Sequence, residues 1–173
     1  MEHDSQGLEA AFRRAKLLVL DVDGTLTDGR IAYFDHAGGV GELLSFDVRD
    51  GLGLQSLARA GVVVALVTGR GSPALERRAG ELKLRLLQRV ADKRAALEEL
   101  QAELGVASSE TIAMGDDLPD LGLAERAAVL VAPPDAVDEV KRRAQLVVSR
   151  PAGRGAVREL CERVLAARGT GAR

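Results

Sequence analysis

The chain has 173 residues, of which 46% are hydrophobic, 29% are charged and only 2% are aromatic. This length and apolar content predict one domain with a sizeable core, and the near balance of 24 basic and 26 acidic residues excludes a strong electrostatic footprint for nucleic acid or an anionic membrane. One cysteine and two histidines exclude a disulfide framework and a zinc site built from sulfur and imidazole.

The amino-terminal residues 1–14 are polar and mixed in charge. They lack the basic start and apolar run of a signal peptide, and the apolar runs further on are far shorter than the roughly 20 residues that span a bilayer. We therefore expect a soluble, cytoplasmic protein in which residues 1–14 extend the domain. A reducing compartment also suits the lone Cys161, which lies on the apolar side of the last predicted helix and is expected to be buried.

Short apolar runs bounded by turn residues predict six strands of a parallel sheet. The first run, residues 16–22, is almost continuous in Leu and Val, as expected of a strand that is buried on both faces. The other predicted strands are residues 62–67, 84–87, 111–114, 128–131 and 146–148.

Segments with helical spacing of apolar residues separate these strands. They are residues 51–60, 73–82, 93–104, 118–126, 136–144 and 156–167. The alternation predicts an α/β fold, a single doubly wound, Rossmann-like parallel-sheet domain over residues 15–167. Residues 168–173 are expected to form a flexible tail.

Residues 30–46 interrupt this alternation. Two runs, 31–34 and 42–46, flank the glycine-containing segment 36–39, which is typical of a β-hairpin. Because the hairpin follows the first strand, we expect it to project from the sheet near the carboxyl end of that strand.

Acidic, hydroxyl and basic residues follow the predicted strands. Ligands gather beyond the carboxyl ends of the strands in an open α/β sheet, so we expect these side chains to share one site. They are Asp21, Asp23 and Thr25 after the first strand, Thr68, Gly69 and Arg70 after the second, Lys93 after the third, and Asp116, Asp117 and Asp120 after the fourth.

This set suits hydrolysis of a phosphate ester, because a carboxylate approaches a phosphate dianion only if Mg²⁺ and basic groups neutralise the repulsion. Asp21, the backbone carbonyl near Asp23, and Asp116 would hold Mg²⁺. Asp21 would attack phosphorus and form an aspartyl phosphate, Asp23 would act as general acid and then base, and Lys93 would screen the charge. Hydroxyl, N–H and basic groups would bind the phosphate, namely Thr25, Thr68, Gly69, Arg70 and Lys93.

In order and in position, these motifs resemble those of the haloacid dehalogenase-like phosphatases. Residues 21–25 are similar to the nucleophile motif of that family, Thr68 to its phosphate-binding Thr/Ser, Lys93 to its charge-balancing lysine, and residues 115–120 to its acidic metal motif. The short spacings from Asp23 to Thr68 and from Thr68 to Lys93 leave no room for a cap domain over the site. The chain therefore looks capless.

Further segments resemble one capless subfamily, the phosphatases of 3-deoxy-D-manno-octulosonate 8-phosphate (KDO 8-phosphate). They are residues 21–30, 46–54, 115–121 and 153–159. The resemblance implies Mg²⁺-dependent hydrolysis of that sugar acid phosphate in lipopolysaccharide precursor synthesis. It also implies a homotetramer assembled through the 30–46 hairpin, with a neighbouring subunit as the lid of the site.

Two arginines are candidates for recognising the carboxylate of the sugar acid. Arg78 matches an arginine that the resemblance places near the sugar acid across a subunit interface, and Arg154 lies in the glycine-rich segment before the last helix. Three departures weaken the assignment of the substrate, and one of them is a hairpin turn that is a few residues longer than in the subfamily. The subfamily commonly has Gly-Ile where this chain has Lys83-Leu84, and Tyr-Gln-Gly where it has Leu87-Gln88-Arg89.

Other interpretations remain open at this point. The substrate could be a nine-carbon keto-sugar acid 9-phosphate of the sialic acid type or another small sugar phosphate, and a non-enzyme alternative is a receiver-like signalling domain. The order of the acidic motifs favours turnover over a receiver. Asp117 is expected to cap a helix or support the site rather than bind metal, Asp120 to belong to the same acidic motif, and Asp50 either to cap the following helix or to face the site.

Overall fold

The computed structural model of the protein describes residues 2–170. Short β-branched and leucine-rich runs form the strands of the parallel sheet, as the sequence predicts. In chain order they are β1 (Leu17–Leu20), β2 (Ala32–His36), β3 (Gly39–Leu43), β4 (Val63–Val67), β5 (Arg85–Leu87), β6 (Thr111–Met114), β7 (Val129–Ala132) and β8 (Leu146–Val147). Apart from β2 and β3, they form one parallel sheet with the order β5-β4-β1-β6-β7-β8.

Helices connect the strands and cover both faces of the sheet. They are α1 (Glu2–Arg14), α2 (Val48–Arg59), α3 (Pro73–Leu82), α4 (Lys93–Leu104), α5 (Leu121–Ala124), α6 (Asp138–Arg143) and α7 (Ala156–Ala167). The doubly wound α/β prediction is confirmed, and the predicted bounds of α3, α4 and α7 coincide with those observed.

The alternating side chains of β1 build two cores. Leu18 and Leu20 pack with α1, α2, α3 and α7 on one face of the sheet, and Leu17 and Val19 pack with α4, α5 and α6 on the other. All four side chains have no solvent exposure, which is why this strand reads as a continuous apolar run. The two cores hold the carboxyl end of β1 in a fixed position between β4 and β6.

Two predicted helices need correction, and one observed helix was not predicted. Helix α2 begins at Val48 rather than at residue 51, because the side chain of Asp47 caps it by accepting a hydrogen bond from the N–H of Arg49. The predicted helix 118–126 is a 3₁₀ turn, Leu118–Asp120, followed by the short α5. Helix α1 is absent from the sequence prediction, and its Phe12 enters the core.

The carboxyl terminus is more ordered at its start than the sequence predicts. The Arg168 guanidinium donates hydrogen bonds to the carbonyls of Ala15 and Ala60, at 2.6 and 3.0 Å. Arg168 is therefore anchored to the domain and is not part of a flexible tail. The last three residues of the predicted tail, 171–173, lie outside the described residues. Within the described part of the chain, no helix is long and apolar enough to cross a membrane.

The predicted hairpin is present as the separate antiparallel pair β2 and β3. Two residues, Ala37 and Gly38, connect the strands, and Gly39 has a positive φ of 126°. The hairpin carries large exposed apolar side chains, among them Tyr33, Phe34 and Val40.

Candidate active site

A cavity of about 260 Å³ lies at the carboxyl edge of the parallel sheet. The register of β1 places Leu20 between Leu66 of β4 and Met114 of β6, so the residues that follow these three strands meet at one edge. Most of the predicted site residues line this cavity, namely Asp21, Asp23, Thr68, Gly69, Arg70, Lys93, Asp117 and Asp120.

Lys93 joins two carboxylates at the base of the cavity. It is the first residue of α4, whose amino terminus is capped by Asp92, and its Nζ lies 2.5 Å from Oδ1 of Asp21 and 2.6 Å from Oδ1 of Asp120. Burial disfavours the ammonium, but the charges of Asp21 and Asp120 outweigh it and raise the pKa of Lys93. Lys93 is therefore a permanent positive charge against Asp21.

The loop after β6 is held by side chains from two directions. The hydroxyl of Thr25 donates to Oδ1 of Asp116 at 2.8 Å. Oδ2 of Asp120 accepts from the N–H groups of Asp116 and Asp117, at 2.9 and 3.1 Å. Gly24 has a φ of 98°, and a Cβ there would overlap the Asp116 carboxylate. Glycine is thus required for the close approach of the two loops.

The site suits a divalent cation that prefers oxygen ligands. Asp21, Asp116 and Asp120 each offer a carboxylate oxygen, and these oxygens lie within 4.8 Å of one another. Burial, followed by the charge of Asp120, raises the pKa of Asp21 to about 8, and burial also raises the pKa of Asp116 to about 6. Carboxylates crowded in this way lower their repulsion by binding Mg²⁺.

The three carboxylates are not equivalent. Both oxygens of Asp120 already accept hydrogen bonds, from Lys93 and from two backbone N–H groups. Asp120 is also 1% exposed. Asp120 therefore orients the loop and the lysine, whereas Asp21 and Asp116 are better suited to hold the metal.

The side chain of Asp23 points to a different part of the cavity. Its Oδ2 accepts a hydrogen bond from the hydroxyl of Thr68 at 3.3 Å and lies 3.5 Å from Nε of Arg70. It lies outside the carboxylate cluster and is 24% exposed. A carboxylate beside the cluster, with access to solvent, can exchange a proton with a bound ligand.

Other predicted residues lie away from the cavity. Arg78 packs over the Phe46 ring at 5.8 Å and pairs with Glu81 at 3.6 Å, and Arg154 is exposed. Neither arginine lines the cavity of the described chain. Asp117, by contrast, lines the cavity, and its side chain accepts from the N–H of Leu118 and caps the 3₁₀ turn.

Neither expectation for Asp50 is correct. Asp50 is fully buried, and its carboxylate accepts hydrogen bonds from the N–H groups of Gly155 and Arg158, at 3.2 and 2.7 Å. It therefore caps α7, more than a hundred residues away in sequence, and not its own helix. Asp47 takes that position in α2.

Glu42 contacts this site without having been predicted. It lies on β3 of the hairpin, and its carboxylate binds Arg70 and Ser72, each at 2.6 Å. A single Glu on an exposed strand carries no sequence signal for such a contact, because the approach of the hairpin to the loop after β4 is a tertiary feature.

The fold and the site together define the class of haloacid dehalogenase-like hydrolases. They combine an open parallel sheet with Asp-x-Asp-Gly-Thr after the central strand, a threonine after the neighbouring strand, a buried lysine and an acidic loop. The family model for haloacid dehalogenase-like hydrolases matches residues 77–160. Within the described residues, the connection from Asp23 to Thr68 contains only the hairpin, α2 and β4, and that from Thr68 to Lys93 contains only α3 and β5, so there is no cap domain at either place.

Comparison with individual proteins indicates which family within this class the chain resembles. The 3-deoxy-D-manno-octulosonate 8-phosphate phosphatase of Escherichia coli (strain B / BL21-DE3) is 37% identical over 166 residues, which cover 95% of this chain and 87% of that protein. The crystal structure of the Moraxella catarrhalis enzyme of that name, in complex with magnesium, phosphate and KDO, superposes with a TM-score of 0.88 at 37% identity, covering 94% of this chain and 92% of the other.

The Yersinia pestis phosphatase of the same name gives a TM-score of 0.89 at 36% identity, covering 95% of this chain and 88% of the other. The chain belongs to the 3-deoxy-D-manno-octulosonate 8-phosphate phosphatase family.

Proposed function

We propose that this protein is a Mg²⁺-dependent phosphatase that hydrolyses KDO 8-phosphate to KDO and inorganic phosphate, a step in lipopolysaccharide precursor synthesis. The observation that carries the proposal is the buried contact of Asp21 with Lys93, next to Asp116, at the carboxyl end of β1. This arrangement combines a nucleophile, a fixed positive charge and a metal ligand. The similarity to KDO 8-phosphate phosphatases over nearly the whole chain supports the choice of substrate.

In the first step, a carboxylate oxygen of Asp21 attacks phosphorus, and the bond between phosphorus and the sugar oxygen breaks. Lys93 orients Asp21 through the 2.5 Å contact and offsets the negative charge that accumulates. Asp23 donates its proton to the leaving sugar oxygen. The products are free KDO and an aspartyl phosphate on Asp21.

In the second step, Asp23 accepts a proton from a water molecule, which attacks phosphorus and releases inorganic phosphate. Asp21 leaves as a carboxylate, which restores the enzyme. The hydroxyls of Thr25 and Thr68, the N–H of Gly69 and the Arg70 guanidinium are the proposed phosphate-binding groups.

Mg²⁺ would be held by Asp21, Asp116 and the backbone carbonyl of Asp23, and it supplies positive charge that reduces repulsion between carboxylate and phosphate. Asp120 and Asp117 would keep the Asp116 loop in place through the contacts described above.

The decisive experiment is phosphate release from a panel of substrates with and without Mg²⁺. The panel contains KDO 8-phosphate, a nine-carbon keto-sugar acid 9-phosphate, a hexose 6-phosphate and an aryl phosphate. We expect the highest kcat/KM for KDO 8-phosphate and loss of activity with EDTA. A clear preference for another sugar phosphate would rule out KDO 8-phosphate as the substrate. Turnover without Mg²⁺ would contradict the mechanism.

We further propose a homotetramer assembled through the hairpin. Exposed Tyr33, Phe34 and Val40 form an apolar surface on the hairpin, and a single chain without a cap leaves the cavity open to solvent. In this arrangement Arg78 of one subunit would reach the carboxylate of a substrate bound in its neighbour. Light scattering tests the assembly, and a stable monomer that is fully active would contradict it.

Arg78→Ala tests the same arrangement at the level of substrate recognition. If Arg78 binds the sugar acid, the substitution should raise KM for KDO 8-phosphate more than KM for an aryl phosphate, which has no such carboxylate. Arg77→Ala is the matched control, because Arg77 is the preceding residue of α3 and is largely exposed. Equal increases in KM for both substrates would remove Arg78 from substrate recognition.

The proposed location is the cytoplasm. Cys161 is the one cysteine of the chain, and its thiol is completely buried in the core, as expected from the sequence. Such a protein has no disulfide to form, which is compatible with a reducing compartment. Immunodetection in fractionated cells tests this location.

A further inference from the structure

Glu42 is a hairpin residue whose side chain faces the catalytic domain. Its Oε2 accepts from Nη2 of Arg70 and its Oε1 accepts from the hydroxyl of Ser72, both at 2.6 Å. The Glu42 side chain is only 20% exposed, whereas Tyr33 and Val40 on the same hairpin are largely exposed. Both of its oxygens therefore have partners in the loop between β4 and α3.

The partners of Glu42 belong to the loop that carries Thr68. The backbone N–H of Arg70 donates to the hydroxyl of Thr68 at 3.1 Å, and Nε of Arg70 lies 3.5 Å from Oδ2 of Asp23. Ser72 is 3% exposed and caps α3 by accepting from the N–H of Leu75. Glu42 thus binds two side chains of this loop at once: the long side chain of Arg70 and the buried hydroxyl of Ser72.

We propose that Glu42 is a positioning residue that holds the guanidinium of Arg70 beside Asp23, in the orientation that receives the phosphate group. This inference rests on the proposed phosphatase function. Arginine has many rotamers, and anchoring it before the substrate arrives removes an ordering cost from binding. Glu42 engages Nη2, and Asp23 lies nearest Nε, so the N–H groups of Nη1 are left for a phosphate oxygen.

The position of Glu42 also links the hairpin to the site. The hairpin strands pair with each other and not with the parallel sheet. The contacts of Glu42 with Arg70 and Ser72 therefore fix the hairpin against the loop that follows β4. A change at Glu42 should act through Arg70, because Glu42 itself does not line the cavity.

A double-mutant cycle with Glu42→Ala and Arg70→Ala tests this role. In the wild-type background, Glu42→Ala should lower kcat/KM for KDO 8-phosphate about 10- to 100-fold, the usual loss when a group that orients a binding residue is removed. In the Arg70→Ala background, the same substitution should change kcat/KM less than about twofold, because Glu42 then has no arginine to hold. Glu42→Gln should lower kcat/KM less than Glu42→Ala does, because the amide oxygen of the glutamine can still accept a hydrogen bond from Arg70 or Ser72.

The affinity for inorganic phosphate in the presence of Mg²⁺, measured by calorimetry, provides a readout that does not depend on which sugar phosphate is the substrate. Glu42→Ala should weaken phosphate binding in the wild-type background and leave it unchanged in the Arg70→Ala background. Glu103→Ala is the matched control, since it removes a Glu–Arg pair of 2.7 Å on the surface of α4 and should leave both measurements within about twofold.

The outcomes of these experiments distinguish the proposed role of Glu42 from the proposed substrate. Additive losses in the double mutant, or a Glu42→Ala protein that binds phosphate as the wild type does, would overturn the role of Glu42. A wild-type protein that binds phosphate but does not hydrolyse KDO 8-phosphate would instead overturn the proposed substrate, and the phosphate-binding cycle would still decide on Glu42.

Discussion

The Nζ atom of Lys93 lies 2.5 Å from Oδ1 of Asp21, and each of the two side chains is only 8% exposed. The two residues are far apart in sequence, at the end of β1 and the start of α4. Their contact fixes a carboxylate at the edge of the sheet, next to a charge that can stabilise a phosphoryl group.

The first prediction concerns the two aspartates of the nucleophile motif. Asp21→Asn and Asp23→Asn should each lower kcat for KDO 8-phosphate by at least about 10³-fold, because an amide is a poor nucleophile and cannot exchange a proton. Asp138→Asn, on the exposed surface of α6, is the control and should remain active. Steady-state phosphate release measures the effect, and normal turnover by Asp21→Asn would rule out the covalent mechanism.

The second prediction concerns the stability contributed by Lys93. Lys93→Met leaves Asp21 and Asp120 buried without their partner, so the free energy of unfolding should fall by about 3 kcal/mol in urea titrations. Lys16→Met removes a pair with Glu110 in which the lysine is 60% exposed, and it should cost less than about 1 kcal/mol. Equal effects of the two substitutions would mean that the buried triad does not stabilise the fold.

The third prediction is a pH dependence of stability and of Mg²⁺ binding. Without metal, burial and neighbouring carboxylates raise the pKa of Asp21 to about 8 and that of Asp116 to about 6. Both values exceed the pKa of an unfolded Asp, about 3.9. The folded state therefore binds more protons, and the contribution of these groups to stability is complete below about pH 4 and is lost as the pH rises through 6 and 8.

Mg²⁺ competes with these protons, so the increase in Tm that it causes should be larger at pH 8 than at pH 6. Thermal unfolding with and without Mg²⁺ across this range checks the prediction. In the Asp116→Asn variant, the change in stability that occurs near pH 6 should disappear. A Mg²⁺-induced increase in Tm that is equal at both pH values would contradict the assignment of these carboxylates as ligands.

The fourth prediction concerns two residues in a left-handed backbone conformation. Lys83, which ends α3, has a φ of 57°, and Arg89, after β5, has a φ of 56°. This conformation costs a non-glycine residue about 1 kcal/mol or more. Lys83→Gly and Arg89→Gly should each raise Tm by about 2–4 °C, measured by calorimetry. Lys83→Ala is the control, because alanine keeps the unfavourable φ and should give no such gain.

These two positions also lie within two of the sequence departures from the subfamily. The two sequence differences, Lys83-Leu84 and Leu87-Gln88-Arg89, place Lys83 and Arg89 where the resemblance to the subfamily implies glycine. Lys83 and Arg89 both have a positive φ, a conformation that glycine adopts more readily than other residues. Neither Lys83 nor Arg89 lines the cavity at the carboxyl edge of the sheet.

Periodicity and turn residues were sufficient to predict the parallel strands and the bounds of α3, α4 and α7, because buried strands and amphipathic helices have local patterns. Helix α1 was not predicted, since its polar composition hides the few residues, such as Phe12, that enter the core. The convergence of Asp21, Lys93 and Asp116 could be inferred because parallel strands end at one edge.

The sequence alone determined the class of fold and the residues that follow each strand, because both depend on local patterns and on the topology of a parallel sheet. Only the tertiary structure decided that Asp50 caps a distant helix, that Asp120 orients Lys93 and the Asp116 loop, and that Glu42 reaches Arg70. These contacts join residues from separate elements. Their geometry depends on how the elements pack, which short-range sequence patterns do not encode.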